Sequence, residues 1–156
     1  MECNKYERRL FLALGAIGWA GLSQILTGCS TPSPTQTAKA RPQPSMALTP
    51  KDYRADAAKH LYVEHSSQIF KGKLPPLLHA VTVVRIDIAA NGDLISIDWM
   101  RKPSHAPEVV AAIEQKIRSA APFPAPQKLG ALTYTETWLW HKSGLFQLDT
   151  LTEGQT

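Results

Sequence analysis

Apolar and polar residues alternate over Ala80–Ile88, placing Thr82, Val84, Ile86 and Ile88 on one side of an extended run. A second run, Leu94 to Met100, places Ile95, Ile97 and Trp99 on one side. Asn91-Gly92-Asp93 stands between them. Asn and Gly tolerate the positive φ that tight hairpin turns require, so the two runs predict a β-hairpin with Asn91-Gly92 as a type I′ turn. The period then changes. Val109, Val110, Ile113, Ile117 and Ala120 recur at helical spacing, with Glu114, Gln115, Arg118 and Ser119 opposite them. This predicts a helix over Pro107–Ala121, stopped by Pro122-Phe123-Pro124-Ala125-Pro126.

Upstream, Thr49-Pro50-Lys51-Asp52 reads as a helix start, with Thr as N-cap and Pro at the first helical position. The helix is predicted to run from Pro50 to about Phe70 and to end at Lys71-Gly72-Lys73. Its inward positions are Tyr53, Ala57, Leu61 and Ile69. Downstream, Ala131–Trp140 alternates Leu132, Tyr134, Glu136, Trp138 and Trp140 against Thr133, Thr135, Thr137 and Leu139, and predicts a third strand. Residues 143–156 read as a tail with a short extended piece at Leu145–Leu148. The expected fold is α+β, in the order αββαβ: a three-stranded antiparallel sheet with two helices on one face, spanning residues 51–142.

The first 28 residues have a different character. Lys5, Arg8 and Arg9 precede a mostly apolar stretch from Leu10 to Leu26, followed by Thr27-Gly28-Cys29. A basic region, an apolar region and small residues at a cleavage point describe an export signal. Leu26-Thr27-Gly28-Cys29 resembles the lipobox of bacterial lipoproteins. That resemblance implies cleavage before Cys29, a covalent lipid on its thiol and a lipid-anchored mature chain. The alternative is an uncleaved anchor, which Gly15, Gly18, Gly21 and Gln24 make a weak span. Arg8-Arg9-Leu10-Phe11-Leu12 also resembles the twin-arginine export motif, with Glu7 where Ser or Thr is usual. Ser30, rather than Asp, after the lipidated cysteine favours the outer membrane, with the inner membrane as the alternative. Residues 29–50 carry Pro32, Pro34, Pro42, Pro44 and Pro50 among Ser, Thr, Gln and Ala, and read as an extended tether.

Charge and candidate chemistry exclude more than they assign. Formal net charge is +4, with no basic run or stripe, so the electrostatic footprint of a nucleic-acid binder is absent. The two cysteines, Cys3 and Cys29, both precede the globular part, so no disulfide or thiolate metal site can form within it. His60, His65, His79, His105 and His141 read as solvated surface histidines, because none has a partner at metal-ligand spacing. Ser66-Ser67 and Ser104-His105 lack the context of a nucleophilic serine. Asp87, Asp93 and Asp98 are explained as turn and strand-end residues. No metal, dissociable cofactor or catalytic residue is expected, and the chain reads as non-enzymatic.

The hairpin, the second helix and Ala121-Pro122-Phe123-Pro124 together resemble the C-terminal domain of the TonB/TolA family, over roughly residues 52–141. The resemblance implies a three-stranded sheet with two helices on one side. It also implies docking of an outer-membrane receptor segment on the last strand by strand addition. The corresponding residues are Thr133, Tyr134, Thr135, Glu136, Thr137, Trp138 and Trp140. Ser104-His105 and Glu108-Val109 depart from the family's Ser-Gly and Leu-Asp. A lipobox stands where the family's energy transducers keep a transmembrane helix, which leaves docking as the function implied, without coupling to a motor. A structural or assembly role, including homodimerisation, is the alternative. An open third-strand edge would favour docking; one covered by Phe146 and Leu148, or by a second copy, would favour structure.

Overall fold

The computed structural model describes residues 39–156. The export signal, Cys29 and the first part of the tether lie outside the described residues. The elements are α1 (Pro50–Glu64), β1 (Ala80–Ile88), β2 (Leu94–Arg101), α2 (Pro107–Ala120), β3 (Leu132–Trp140) and β4 (Phe146–Leu148), with 3-10 turns at Ser66–Gln68 and Asp149–Leu151. The strands form one antiparallel sheet in the order β2-β1-β3-β4. The fold is therefore α+β with two helices, and the sheet has four strands where the sequence predicts three. The fourth comes from the predicted tail. Three residues are too short a run for alternation to reveal, and Phe146, Gln147 and Leu148 are all buried.

The helix-facing side of the sheet holds the core. Val84, Ile86, Ile88 and Trp138 are fully buried on it, against Tyr53, Ala57 and Leu61 of α1 and Ile113 and Ile117 of α2. Helix α1 starts as expected: the Thr49 hydroxyl accepts from the Asp52 N–H at 3.2 Å and Pro50 occupies the first turn. It ends at Glu64, six residues before the predicted end. Ile69 leaves the helix and forms a parallel bridge with Phe146. His60 is a further correction. It is buried, and its ring lies 2.8 Å from the Ala120 carbonyl, where it caps the last turn of α2.

The two hairpins use one device. Ala89 N–H donates to Asp93 O, Gly92 N–H donates to Ala89 O, and Gly92 has φ +89°. His141, Gly144 and Leu145 repeat this pattern, with Gly144 at φ +84°. Both are three-residue connections closed by a left-handed glycine, not the two-residue type I′ turn predicted at Asn91-Gly92. Gly92 has a second duty. Its carbonyl accepts from Phe123 N–H at 2.8 Å, and a Cβ at this position would sit 2.1 Å from Phe123 O. The proline-rich loop thus lies directly on the hairpin tip. It buries Phe123 and accepts the Tyr53 hydroxyl on Pro124 O at 2.8 Å.

Strand β2 is less regular than its sequence. Asp87 pairs with Ser96 and Ile88 with Leu94, so Ile95 is an extra residue; Val84 pairs with Trp99 and Val83 with Arg101, so Met100 is another. These bulges remove both side chains from the alternation, and Ile95 is 63% and Met100 62% exposed. The expected common face of Ile95, Ile97 and Trp99 therefore reduces to Ile97 and Trp99, both half-buried.

Candidate functional site: the outer edge of the third strand

Strand β3 has β1 along its whole length on one side. On the other, β4 pairs only with Trp138–Trp140. The direction of each main-chain group follows from the turns. His141 N–H bonds Leu145 O across the β3–β4 hairpin. By the two-residue alternation of an antiparallel ladder, Leu139, Thr137, Thr135 and Thr133 then turn their N–H and C=O groups away from β1. The bond from Ala89 N–H to Asp93 O sets the same phase from the other side, since it turns the even-numbered groups of β1 toward β3.

The outward groups meet different fates. Leu139 is paired with Gln147. Thr137 N–H donates to the Glu136 carboxylate at 3.0 Å. That carboxylate is fully buried and also receives Arg54 at 2.8 Å and the Thr150 hydroxyl at 2.8 Å. Glu136 therefore curls round the strand and closes the edge where β4 stops. Thr133 and Thr135 remain, with no main-chain partner on that side among the described residues. The open window spans Leu132–Glu136.

Side chains divide by face. Tyr134, Glu136, Trp138 and Trp140 are buried. Trp140 stacks on Phe146 at 5.7 Å and 8°, and Trp138 lies 4.7 Å from the same ring. The aromatic stripe is core, so of the seven residues singled out by sequence only Thr133, Thr135 and Thr137 have side chains on the open face. Burial pushes the Tyr134 hydroxyl well above its ordinary range. On the open face Thr133 and Ser96 both donate to Asp87, Ser96 at 2.5 Å, and these bonds hold the Asp87 carboxyl below the usual range. Arg85 adds a weaker contact to Asp98 at 3.8 Å.

Strand β2 offers the other sheet edge. Its register is regular only from Ser96 to Trp99, between the two bulges, and Asp98 sits within that stretch. Bulges and charges are the usual means of blunting an edge. The edge of β4 is covered: Phe70 N–H donates to Phe146 O, and the Gln147 side chain bonds Phe70 O and Gly72 O.

Sequence reasoning missed one cluster. His79 Nε2 lies 3.0 Å from Glu108 Oε1, and His105 Nε2 lies 2.9 Å from the His79 carbonyl. The bond from His79 holds the Glu108 carboxyl below its ordinary range. This is a histidine–carboxylate pair beside a groove that Ser104 also lines. Both members of the pair are solvent-accessible, and among the described residues no imidazole is hydrogen-bonded to Ser104. Among the described residues no group of three ligands is placed to hold a metal ion, and no helix is long and apolar enough to cross a membrane. Comparison with family models, curated proteins and solved structures finds no match to this chain.

Proposed function

We propose that this chain is a lipid-anchored cell-envelope protein whose α+β domain docks a protein partner by strand addition at Leu132–Glu136. On this reading Cys29 carries the lipid, the domain faces the periplasm from the outer membrane, and the fold is a TonB/TolA-like domain separated from any motor. The observation that supports it is the open window on β3, in a sheet whose other edges are bulged or covered.

The magnitude sets the mode of binding. Thr133 and Thr135 together offer two donors and two acceptors. At about 1 kcal/mol net for each bond, they give about 4 kcal/mol, a millimolar affinity. Such a window works only with added side-chain contacts, or with a partner held at high local concentration by the same membrane. The structural or assembly role has its own support, because β4 and Glu136 close the other half of the edge.

The test captures partners from intact envelopes with a photocrosslinker at Thr133. Thr135→Pro removes an outward N–H and should abolish capture, while Thr135→Ala keeps the donor and should not. Thermal melts confirm that both variants fold. Capture that persists in a folded Thr135→Pro protein rules out this edge and favours the assembly role. Palmitate labelling that Cys29→Ala abolishes tests the anchor separately.

A further inference from the structure

We propose that the groove at the end of the sheet farthest from the Asn91–Gly92 tip binds an oxyanion, with a phosphate group as its ligand chemistry. The groove has a volume of about 390 Å³ and lies between Leu78–Val81, where β1 begins, and Arg101–His105, where the chain leaves β2. Two adjacent cations, Arg101 and Lys102, line it, and among the described residues no carboxylate does.

Arg101 stands apart from the other described arginines. Arg41 is paired with Asp93, Arg54 with Glu136 and Asp149, Arg85 with Asp98, and Arg118 with Glu114. Among the described residues Arg101 has no acidic partner within salt-bridge distance. A guanidinium presents a planar fork of donors that matches a phosphate or carboxylate. Here it is left open beside a second cation and a hydroxyl, that of Ser104.

The two imidazoles border the groove and spend their Nε2 hydrogens on protein acceptors. His105 Nε2 contacts the His79 carbonyl, which can only accept, so that nitrogen carries hydrogen. His79 Nε2 contacts Glu108. Each ring therefore has its Nε2 engaged, and its Nδ1, with no partner among the described residues, donates to an anion only in a ring that carries both hydrogens, so Arg101, Lys102 and Ser104 supply the standing donors and the rings report on the ligand. Among the described residues Glu108 is the carboxylate hydrogen-bonded to this pair of rings, through His79. It engages His79 from outside the groove lining.

The position is informative too. Arg41 holds the incoming chain against Asn91 O and Asp93 at the hairpin tip. The groove is at the opposite end of the strands, so its ligand is reached on the side away from the tether.

The test uses the full chain in maltoside micelles, which contain no phosphate, and follows the imidazole resonances during titration with inorganic phosphate. His79 and His105 should shift saturably in the millimolar range while His65 stays put. Arg101→Gln should weaken binding about tenfold, the loss of one charge-assisted contact, and Arg118→Gln should not. A parallel titration with glycerophosphoglycerol separates the sources: equal binding assigns a phosphodiester such as a lipid headgroup, and binding of inorganic phosphate alone assigns a free phosphate or monoester. Shifts that chloride reproduces, that spread equally over the other histidines, or that survive Arg101→Gln would overturn the site.

Discussion

Replacing Gly92 by alanine measures how tightly the proline-rich loop is set on the hairpin, and Gly144 supplies its control. The two glycines have φ +89° and +84°, and both close a three-residue connection. A Cβ on Gly144 meets nothing within 4 Å, so Gly144→Ala costs only the left-handed strain. That is about 1–2 kcal/mol, partly offset by about 0.4–1 kcal/mol of lost unfolded-chain freedom, for a net of about 1 kcal/mol. A Cβ on Gly92 lies 2.1 Å from the Phe123 carbonyl oxygen, so the loop must move. The Gly92–Phe123 hydrogen bond then contributes about 1 kcal/mol more to the loss, and partial exposure of the buried Phe123 ring about another 1 kcal/mol. The total is about 3 kcal/mol. At about 5 °C per kcal/mol, circular dichroism melts should fall by about 15 °C for Gly92→Ala and about 5 °C for Gly144→Ala. Equal shifts would refute the reasoning, because the contact of the proline-rich loop with Gly92 is what sets the two positions apart.

Three further outcomes follow from the packing and the charges. Phe146→Ala removes the ring that Trp138 and Trp140 pack on and should cost about 3–5 kcal/mol in denaturant unfolding; a loss under 1 kcal/mol would make β4 an appendage. Glu136→Ala leaves Arg54, Thr150 and the Thr137 N–H without their shared acceptor and should cost about 3–5 kcal/mol, while extending the open edge so that sedimentation shows self-association. Stability should fall with acid in two stages. Desolvation lowers His65 from 6.5, so its contribution is complete above pH 6.5 and is lost as pH falls through the lowered value; His65→Gln should remove this stage from a melting-temperature profile. Glu64 and Asp87 are lowered from 4.5 and 3.8 by hydrogen bonds from Lys39 and from Ser96 and Thr133, and their contribution is lost as pH falls below those values.

Period-2 and period-3.6 patterns located β1, β3 and α2 to within a residue, because each has one face buried along its full length. The patterns failed where a tertiary contact sets the outcome. Ile95 and Met100 keep the alternating character of a strand, yet bulges against β1 turn them out. The last helical turns predicted for α1 were lost because Ile69 bridges Phe146, 77 residues later in the chain. The stripe of Trp138 and Trp140 reads more readily as core than as docking surface, and Phe146 packs on both rings. The threonines of β3 were legible as an open face, but the closure at Thr137 depends on Glu136 reaching Thr150, a meeting that no local spacing announces.

The stretch around Ser45 decides where a tethered domain can work. Ser45 N–H donates to Ala125 O, and Ser45 O accepts from Gln127 N–H, so the incoming chain is fastened to the loop at the hairpin tip. Strand β3 runs against β1 with Leu132 beside Ile88, so the open window is at this same end. If Cys29 carries the lipid, Ser45 lies sixteen positions after it, a leash of at most about 55 Å. A leash that short lets the window graze the leaflet that holds the lipid and keeps it from the far side of a wide compartment. On that condition the domain would sample segments that emerge from its own membrane, in the manner of a moored boat that can touch only its own quay.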